Sequence, residues 1–193
     1  MSFRLFVRTD LDAITPEELA DAIDSLPEWR REQALRFKHE QGRKECAFAY
    51  LLLCQALKEG FGMDEQPHFS IGKHGKPSLV EHPEIHFNLS HCKKAVACVV
   101  SSEAVGVDVE CVGRFNDSLA RHVLNDEEYH HVITAPDPDL AFTRYWTQKE
   151  AIVKLTGRGI DDDLQNLLFK YNNVSLHTEE HPDKGYVVSC GWF

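Results

Sequence analysis

The sequence predicts an α+β protein made of two similar halves, each an antiparallel sheet with a long helix, packed side by side about a pseudo-twofold axis. The order strand, long helix, strands occurs around residues 3–100 and again around residues 104–193. No Gly/Ser-rich or Pro-rich linker separates these stretches, so we expect tight packing with a ligand-binding groove at the junction. The length of 193 residues and the 42% hydrophobic content can supply such a core. The expected boundaries are 1–102 for the N-terminal half and 103–193 for the C-terminal half.

The N-terminal half is expected to open with a strand and a short helix. FRLFVR, at residues 3–8, is typical of a strand. TPEEL then predicts a helix start, because Thr15 suits the N-cap, Pro16 suits the first helical position and Glu18 is placed for a capping box. We expect this helix to run to about Leu26.

Two more helices and a series of strands follow. Pro27 begins a second helix, PEWRREQALRF. The next segment, GRKECAFAYLLLCQALKEGFG, is apolar around much of its circumference, which predicts a central buried helix ending near Gly60 and Gly62. IGKHGKPSL is rich in turn residues and is predicted to be a loop. The predicted strands are HFSIG, IHFNLSH, KAVACVVS and AVGVDVE.

The C-terminal half contains a further helical region and a long helix. The region covers about residues 118–133 and is expected to break near Asn125. PDPDLAFTRYWTQKEAIVKLTGRG predicts a helix that ends at Gly157 and Gly159. The remaining segments are predicted to close the fold as an antiparallel meander: LLFKY, NVSLHT and GYVVSCGWF.

Composition narrows the classes of function and compartment. With 31 acidic against 21 basic residues the formal net charge is −10, which disfavours general nucleic-acid binding. The six cysteines show neither C-x-x-C nor zinc-ligand spacing, so a reduced, cytoplasmic compartment is expected. MSFRLFVRTD is too charged for a signal peptide, and no apolar run reaches membrane-spanning length. We therefore expect neither a nucleic-acid partner nor a membrane partner.

Two carboxylates, Asp108 and Glu110, interrupt an apolar strand in GVDVE. Both lie on the face of Gly106, about 6.6 Å apart along the strand, so one cation can reach both; a solvated strand face is the alternative. On the helix WTQKEAIVKL, Glu150 and Lys154 share a face, with an ordinary surface ion pair as the alternative. Together the three carboxylates would make an all-oxygen site of the kind that Mg²⁺ prefers.

These segments resemble a known family. GVDVE, followed about 35 residues later by WTQKEAIVKLTGRG, resembles the paired signature of the 4′-phosphopantetheinyl transferases, G-x-D-x-E and W-[ST]-x-K-E-[AS]-x-x-K. Upstream, GKPSL at residues 75–79 and FNLSH at residues 87–91 resemble two further family motifs in the same order. The likeness spans roughly residues 25–160 and implies the family's fold. The two-half organisation resembles the larger, surfactin-synthetase-activating type, for which a monomer suffices.

The resemblance implies an enzyme, a holo-[acyl-carrier-protein] synthase. Such an enzyme moves the phosphopantetheine arm of coenzyme A onto a serine hydroxyl of an acyl, peptidyl or aryl carrier protein and releases 3′,5′-ADP. By motif position, Asp108, Glu110 and Glu150 would hold Mg²⁺. Glu150 is also the candidate acceptor of the serine proton, and Lys154 would contact the pyrophosphate.

The same resemblance assigns residues to the rest of coenzyme A. Ser90 and His91 would meet the 3′-phosphate. In the basic segment PEWRREQALRFKHEQGRK, Arg43 is a better match than Arg30 for a 3′-phosphate contact, with a solvated charged face as the alternative. Trp146 is expected to be a packing anchor. The loop expected to border the adenine comprises Gly75, Lys76 and Pro77.

The carrier protein must be bound despite the charge of this chain. Carrier proteins are commonly acidic, so long-range attraction cannot supply the affinity and a local apolar surface is expected. Phe115 and Leu119 in CVGRFNDSL are the candidates, with an apolar helix-start contact as the alternative. Two other functions stay open: a metal-dependent phosphohydrolase that uses the same acids on a nucleotide or phosphoester, and a carrier-binding module without catalysis.

Overall fold

A computed structural model of the chain describes residues 3–72, 75–113, 115–157 and 163–193. The predicted α+β class is confirmed. The strands are β1 (Arg4–Arg8), β2 (Phe69–Ile71), β3 (Pro77–Leu79), β4 (His86–His91), β5 (Val96–Ser101), β6 (Val105–Cys111), β7 (Ser175–His181) and β8 (Tyr186–Trp192). The helices are α1 (Pro16–Asp24), α2 (Glu28–Leu35), α3 (Glu40–Phe61), α4 (Asp117–Val123), α5 (Asp126–Thr134), α6 (Pro138–Thr156) and α7 (Leu167–Lys170). In these ranges no helix combines the length and the apolar character needed to cross a membrane.

The first sheet has the order β1-β5-β4 and is antiparallel. Its central strand, β5, is buried along its whole length. Val96, Cys98 and Val100 on one face join the apolar cluster built around α3, whereas Ala97 and Val99 on the other face join a cluster shared with the second sheet. The alternation of a strand thus places β5 between the long helix and the second sheet.

The second sheet has the order β6-β8-β7 and is also antiparallel. Val105, Val107 and Val109 of β6 lie in the cluster that faces the first sheet. The opposite face, which carries Asp108 and Glu110, therefore faces α6. The strand alternation predicted from the sequence is what directs the two carboxylates away from the core and toward the helix.

Strands β4 and β6 meet through side chains where the two sheets adjoin. The backbone N–H of Val107 donates to Asn88 Oδ1 at 2.9 Å, and the Ser90 hydroxyl donates to Asp108 Oδ1 at 2.8 Å. Each sheet is accompanied by one long helix, α3 or α6. The pseudo-twofold relation between the halves and the boundary between residues 102 and 103 stay predictions.

Several helix ends follow the expected capping chemistry. Thr15 forms the predicted capping box at the start of α1, and Asn125 forms a second one at the start of α5, which explains the predicted break. α3 ends at Gly62 (φ 71°) and α6 at Gly157 (φ 63°), both in the left-handed conformation that glycine adopts without strain. The further helix stop predicted at Gly159 lies outside the described residues.

Two local predictions were wrong. LLFKY forms the short helix α7 instead of a strand, because Leu167 and Tyr171, four residues apart, both pack in the cluster of Ile152 beneath α6. The segment predicted as a loop, IGKHGKPSL, contains strand β3, which pairs antiparallel with β2. Both segments are short, and tertiary contacts decide the conformation of short apolar segments.

Candidate functional site

Asp108 is the buried centre of the site, with 3% of its surface exposed. Its Oδ1 accepts hydrogen bonds from the Ser90 hydroxyl at 2.8 Å and from the Lys154 ammonium at 2.7 Å. The same ammonium donates to Ser90 Oγ at 2.8 Å, so these three side chains join both sheets to α6. The other carboxylate oxygen, Oδ2, is buried without a hydrogen-bond partner. A buried, unpartnered carboxylate oxygen is costly, which fits a position for a cation.

Gly106 allows α6 to lie directly on β6. A Cβ atom at this position would be 2.2 Å from the carbonyl oxygen of Ala151 and 2.4 Å from the backbone nitrogen of Leu155. Only a glycine leaves room for this contact between helix backbone and strand backbone. The close approach brings the helix face with Glu150 and Lys154 next to Asp108.

Glu150 shares its surroundings with a second carboxylate. Burial is the main cause that raises the pKa of Glu150, and the Asp108 carboxylate raises it further, while Lys154 lowers it. Two carboxylates held near each other destabilise their charged forms. A cation placed between them would relieve that repulsion.

A cavity of about 300 Å³ opens at these side chains. Its lining comprises Leu89, Ser90, His91, Asp108, Glu110, Trp146, Glu150 and Lys154. Within the described ranges, no group of three His, Cys, Asp or Glu side chains is already arranged around one metal position. The Lys154 ammonium lies against Asp108 instead. Three hard carboxylate donors, one with an unpartnered oxygen, nevertheless fit a cation such as Mg²⁺ chemically.

A larger cavity of about 540 Å³ lies beside the first and shares Leu89 with it. Two polar groups among its lining residues, Arg30 Nε and the Tyr50 hydroxyl, are buried without hydrogen-bond partners. Its aromatic wall consists of Trp29, Tyr50, Phe69 and Phe87. The sequence does not predict this wall, because its members come from α2, α3, β2 and β4 and no local pattern links them. The cavity suits a planar, mainly apolar ligand with a few polar edges.

The two arginines proposed from the sequence are placed differently. Arg30 faces the larger cavity, which Gly75 and Pro77 also line. Arg43 lines neither cavity, and its Nε donates to the carbonyl oxygen of Phe37 at 2.9 Å. The structure therefore brings Arg30, and not the preferred Arg43, together with the predicted adenine loop.

Lys76 also lines neither cavity. Its ammonium donates to the carbonyl oxygens of Lys154 at 2.8 Å, Val105 at 3.1 Å and Leu155 at 3.2 Å. Burial lowers the pKa of Lys76. Its side chain thus contacts protein backbone, while its neighbours Gly75 and Pro77 border the larger cavity.

Comparison with known proteins places this site in a family. The family model of the 4′-phosphopantetheinyl transferase superfamily matches residues 104–188, from the start of β6 to β8. The chain belongs to this superfamily. The matched region contains Asp108, Glu110, Glu150 and Lys154.

Individual relatives of this superfamily agree. The chain is 27% identical over 158 residues to a 4′-phosphopantetheinyl transferase of Bacillus subtilis, covering 80% of this chain and 70% of the relative. It is 26% identical over 190 residues to 4′-phosphopantetheinyl transferase Sfp of Bacillus subtilis strain 168, covering 93% and 84%. It is 38% identical over 97 residues to 4′-phosphopantetheinyl transferase AcpT of Salmonella typhi, covering 47% and 50%.

The lysine of the transferase signature that precedes Glu150, Lys149, is almost completely buried. Its ammonium lies 2.8 Å from Glu128 Oε2 and donates to the carbonyl oxygens of Leu164 and Gln165. Burial lowers the pKa of Lys149, against the opposing effect of Glu128. No local sequence pattern predicts this ion pair, because its acid lies 21 positions away on α5. The pair fixes α5 to α6.

The apolar residues proposed for carrier docking in this transferase-superfamily chain lie next to the site. Phe115 and Leu119 are half-buried in a cluster around Phe142. The Phe115 and Phe142 ring centroids are 6.0 Å apart, and those of Phe142 and Trp146 are 6.2 Å apart. Because Trp146 also lines the smaller cavity, the cluster extends to the edge of the site.

Proposed function

We propose that this protein transfers the phosphopantetheine arm of coenzyme A to a serine hydroxyl of an apo-carrier protein, with Mg²⁺, and releases 3′,5′-ADP. The observation that carries the proposal is the convergence of Ser90, Asp108, Glu150 and Lys154 on one small cavity beside a larger aromatic one. The similarity to proteins named 4′-phosphopantetheinyl transferases supports the same reaction.

Asp108, Glu110 and Glu150 would hold the Mg²⁺. The support is chemical: all three are oxygen donors, they line one cavity, and Asp108 Oδ2 is buried without a partner. When bound, the ion neutralises negative charge on the diphosphate oxygens.

Lys154 is suited to bind the diphosphate. An ammonium group has three N–H donors, so Lys154 can keep its contacts with Ser90 and Asp108 and still donate to a phosphate oxygen. Those two contacts orient the ammonium toward the cavity, where it would stabilise the charge that develops on the leaving phosphate.

Glu150 is the proposed acceptor of the serine proton. The raised pKa makes its carboxylate a stronger base than an ordinary glutamate. As the proton leaves the hydroxyl for Glu150, the serine oxygen bonds to the phosphorus next to the pantetheine. The bond from that phosphorus to the oxygen of 3′,5′-ADP breaks, and the electron pair leaves with the nucleotide.

The nucleotide end of coenzyme A would occupy the larger cavity. Its aromatic wall and the edge formed by Gly75 and Pro77 suit an adenine ring. Leu89 also lines the smaller cavity with Asp108, Glu110 and Glu150, which is called the carboxylate cavity below. Ser90 and His91 would meet the 3′-phosphate. Arg30, whose Nε is buried without a partner at this cavity, is the better-supported arginine for a further contact.

The proposed partner is an acyl, peptidyl or aryl carrier protein that docks at the cluster containing Phe115 and Leu119. The net charge of −10 supports a docking surface that relies on apolar contact. We further propose action in the cytoplasm as a monomer. All six cysteines are free thiols, which suits a reducing compartment.

Release of 3′,5′-ADP tests the proposal. The purified protein is mixed with coenzyme A and Mg²⁺, with and without apo-carrier proteins, and the nucleotide is measured by chromatography. We expect release only with a carrier, and loss of release with EDTA or in Glu150→Gln but not in Glu17→Gln, a control at an exposed glutamate of α1. Release of 3′,5′-ADP without any carrier would favour the metal-dependent phosphohydrolase. Binding of coenzyme A without release would favour the carrier-binding module without catalysis.

A further inference from the structure

One side chain, that of Lys76, ties the β2–β3 strand pair to the other half of the molecule. Its ammonium donates to three carbonyl oxygens, those of Lys154, Val105 and Leu155, at 2.8, 3.1 and 3.2 Å. Three acceptors use all three N–H donors of the ammonium. Two of them belong to the last turn of α6, where carbonyl groups lack partners within the helix and a positive charge is favoured.

The three carbonyl groups belong to the elements that carry the carboxylate cavity. Val105 is the first residue of β6, the strand of Asp108. Lys154 lies one turn beyond Glu150 on α6, and its own ammonium is bonded to Asp108. A shift of the Lys154 backbone would therefore move a group that the proposed reaction uses.

The two chain neighbours of Lys76, Gly75 and Pro77, line the larger cavity. The carbonyl oxygen of Lys76 accepts from the N–H of Gly72, the residue after β2, at 3.0 Å. Lys76 thus lies between two residues that line the larger cavity, and its ammonium contacts the two elements that carry the carboxylates of the smaller one.

A direct contact between Lys76 and a phosphate would conflict with this arrangement. The ammonium would have to leave three hydrogen bonds and its half-buried position. The methylene stem packs at the end of α6, since a Cβ at Gly157 would lie 3.6 Å from Lys76 Cδ. The stem of Lys76 thus lies at the end of α6, and its ammonium is hydrogen-bonded to α6 and β6.

We propose that Lys76 is a positioning residue that fixes the larger cavity relative to the carboxylate cavity, and that it is not a ligand of the coenzyme phosphates. The proposal rests on the proposed function, in which the two cavities hold the two ends of coenzyme A. Because a displacement of about 1 Å can cost on the order of 100-fold in rate, loss of the three hydrogen bonds is expected to reduce turnover more than binding.

Lys76→Met keeps the apolar stem and removes the donors, and Lys76→Arg keeps a positive charge with several N–H donors. For Lys76→Met we expect kcat per folded molecule to fall about 10-fold or more, and the Kd for 3′,5′-ADP from calorimetry to change less than about threefold. The preference for coenzyme A over 3′-dephospho-coenzyme A should stay as in the parent protein. Lys76→Arg should recover part of kcat. If Lys76→Met does not fold, Lys76→Gln replaces it.

Three results would overturn the proposal. Loss of the preference for coenzyme A over its dephospho form would mean that Lys76 contacts the 3′-phosphate. A weakening of 3′,5′-ADP binding that matches the loss of kcat would also mean direct binding. An unchanged kcat per folded molecule, with only a lower melting temperature, would mean that Lys76 acts on stability alone.

Amide hydrogen exchange separates this proposal from the proposed function. In the unliganded protein, Lys76→Met should speed exchange in residues 75–79 and 152–157 and leave the first sheet unchanged. This result would support the link even if no carrier is modified and the transferase proposal fails. Unchanged exchange in both segments would overturn the link whatever the activity.

Discussion

Replacing Gly106 by alanine tests how closely α6 must lie on β6. The added Cβ would lie 2.2 Å from the Ala151 carbonyl oxygen and 2.4 Å from the Leu155 nitrogen, whereas ordinary contacts begin at 3.4 Å. Both are backbone atoms of α6, so no side-chain rotation can relieve the overlap. The helix must therefore move away from the strand by about 1 Å.

The displacement predicts two measurable losses. Overpacking costs about 1–3 kcal/mol, and we expect the upper end for Gly106→Ala because helix backbone must move. At roughly 2–4 °C per kcal/mol for a chain of this size, the melting temperature should fall by about 6–12 °C. Since Glu150 and Lys154 move with α6, transfer to a carrier should fall about 100-fold.

Gly191→Ala is the matched control, because Gly191 lies directly opposite Gly106 in the β6–β8 ladder. Its Cβ would meet side-chain atoms of Leu176 at 3.3 Å and Val174 at 3.4 Å, which can rotate away. We expect a cost below about 1 kcal/mol and near-normal transfer. Both variants are compared by thermal unfolding followed by circular dichroism and by the transfer assay. Equal melting temperatures and equal transfer in the two variants would show that the close contact between α6 and β6 is not needed for stability or activity.

Four other predictions concern separate features. Lys149→Met should destabilise the protein by about 3–5 kcal/mol in urea unfolding, because it leaves the Glu128 carboxylate buried and unpaired, and a second change, Glu128→Leu, should recover part of the loss. Glu150→Gln should raise the melting temperature at neutral pH without metal. Because the pKa of Glu150 is raised in the folded protein, its carboxyl group stabilises the fold at low pH, and this stabilisation is lost as the pH rises through the raised pKa. Glutamine does not ionise and so avoids the loss. Brief treatment with iodoacetamide should modify Cys111 first, because a hydrogen bond from Cys92 and nearby backbone N–H groups lower its pKa to about 6, and peptide mass spectrometry reads the site. Phe115→Ala should raise the KM for the carrier with kcat unchanged, because it removes apolar docking surface, as steady-state kinetics would measure.

Each of these predictions has a result that contradicts it. A double variant at Lys149 and Glu128 no more stable than the single lysine variant would show that the unpaired charge is not the cause of the loss. A stability difference for Glu150→Gln that stays constant from pH 4 to pH 8 would exclude titration of this carboxyl. Earlier alkylation of Cys54, which is also half-buried but has a raised pKa, would contradict the account of Cys111. An unchanged carrier KM would remove Phe115 from the docking surface.

The carboxylate cavity was predictable from sequence because each of its parts follows from a local period. A strand places Asp108 and Glu110 on one face, and a helix places Glu150 and Lys154 on one face, whatever the rest of the fold does. Gly106 in the same motif then supplies the close approach between the two elements. The capping residues Thr15 and Asn125 were equally predictable, because a cap is decided within four residues.

Other features were not predictable because they depend on elements distant in the chain. Trp29 and Phe87 line the same cavity only once α2, α3, β2 and β4 have packed together, so the chain shows no local sign of the aromatic wall. Lys76 was assigned to the coenzyme by its motif, but its ammonium reaches carbonyl groups 29, 78 and 79 residues away. LLFKY carries too few residues to show a period, so the contact with α6 decides its conformation.

The mass of the carrier protein shows whether this protein transfers phosphopantetheine to it. Apo-acyl, apo-peptidyl and apo-aryl carrier proteins are incubated with the protein, coenzyme A and Mg²⁺, and each carrier is read by intact mass spectrometry. We expect a gain of one phosphopantetheine on the serine of at least one carrier class, lost with EDTA and in Glu150→Gln. The proposed transfer would be contradicted if carriers of all three classes stayed unmodified and neither 3′,5′-ADP nor coenzyme A bound to the protein.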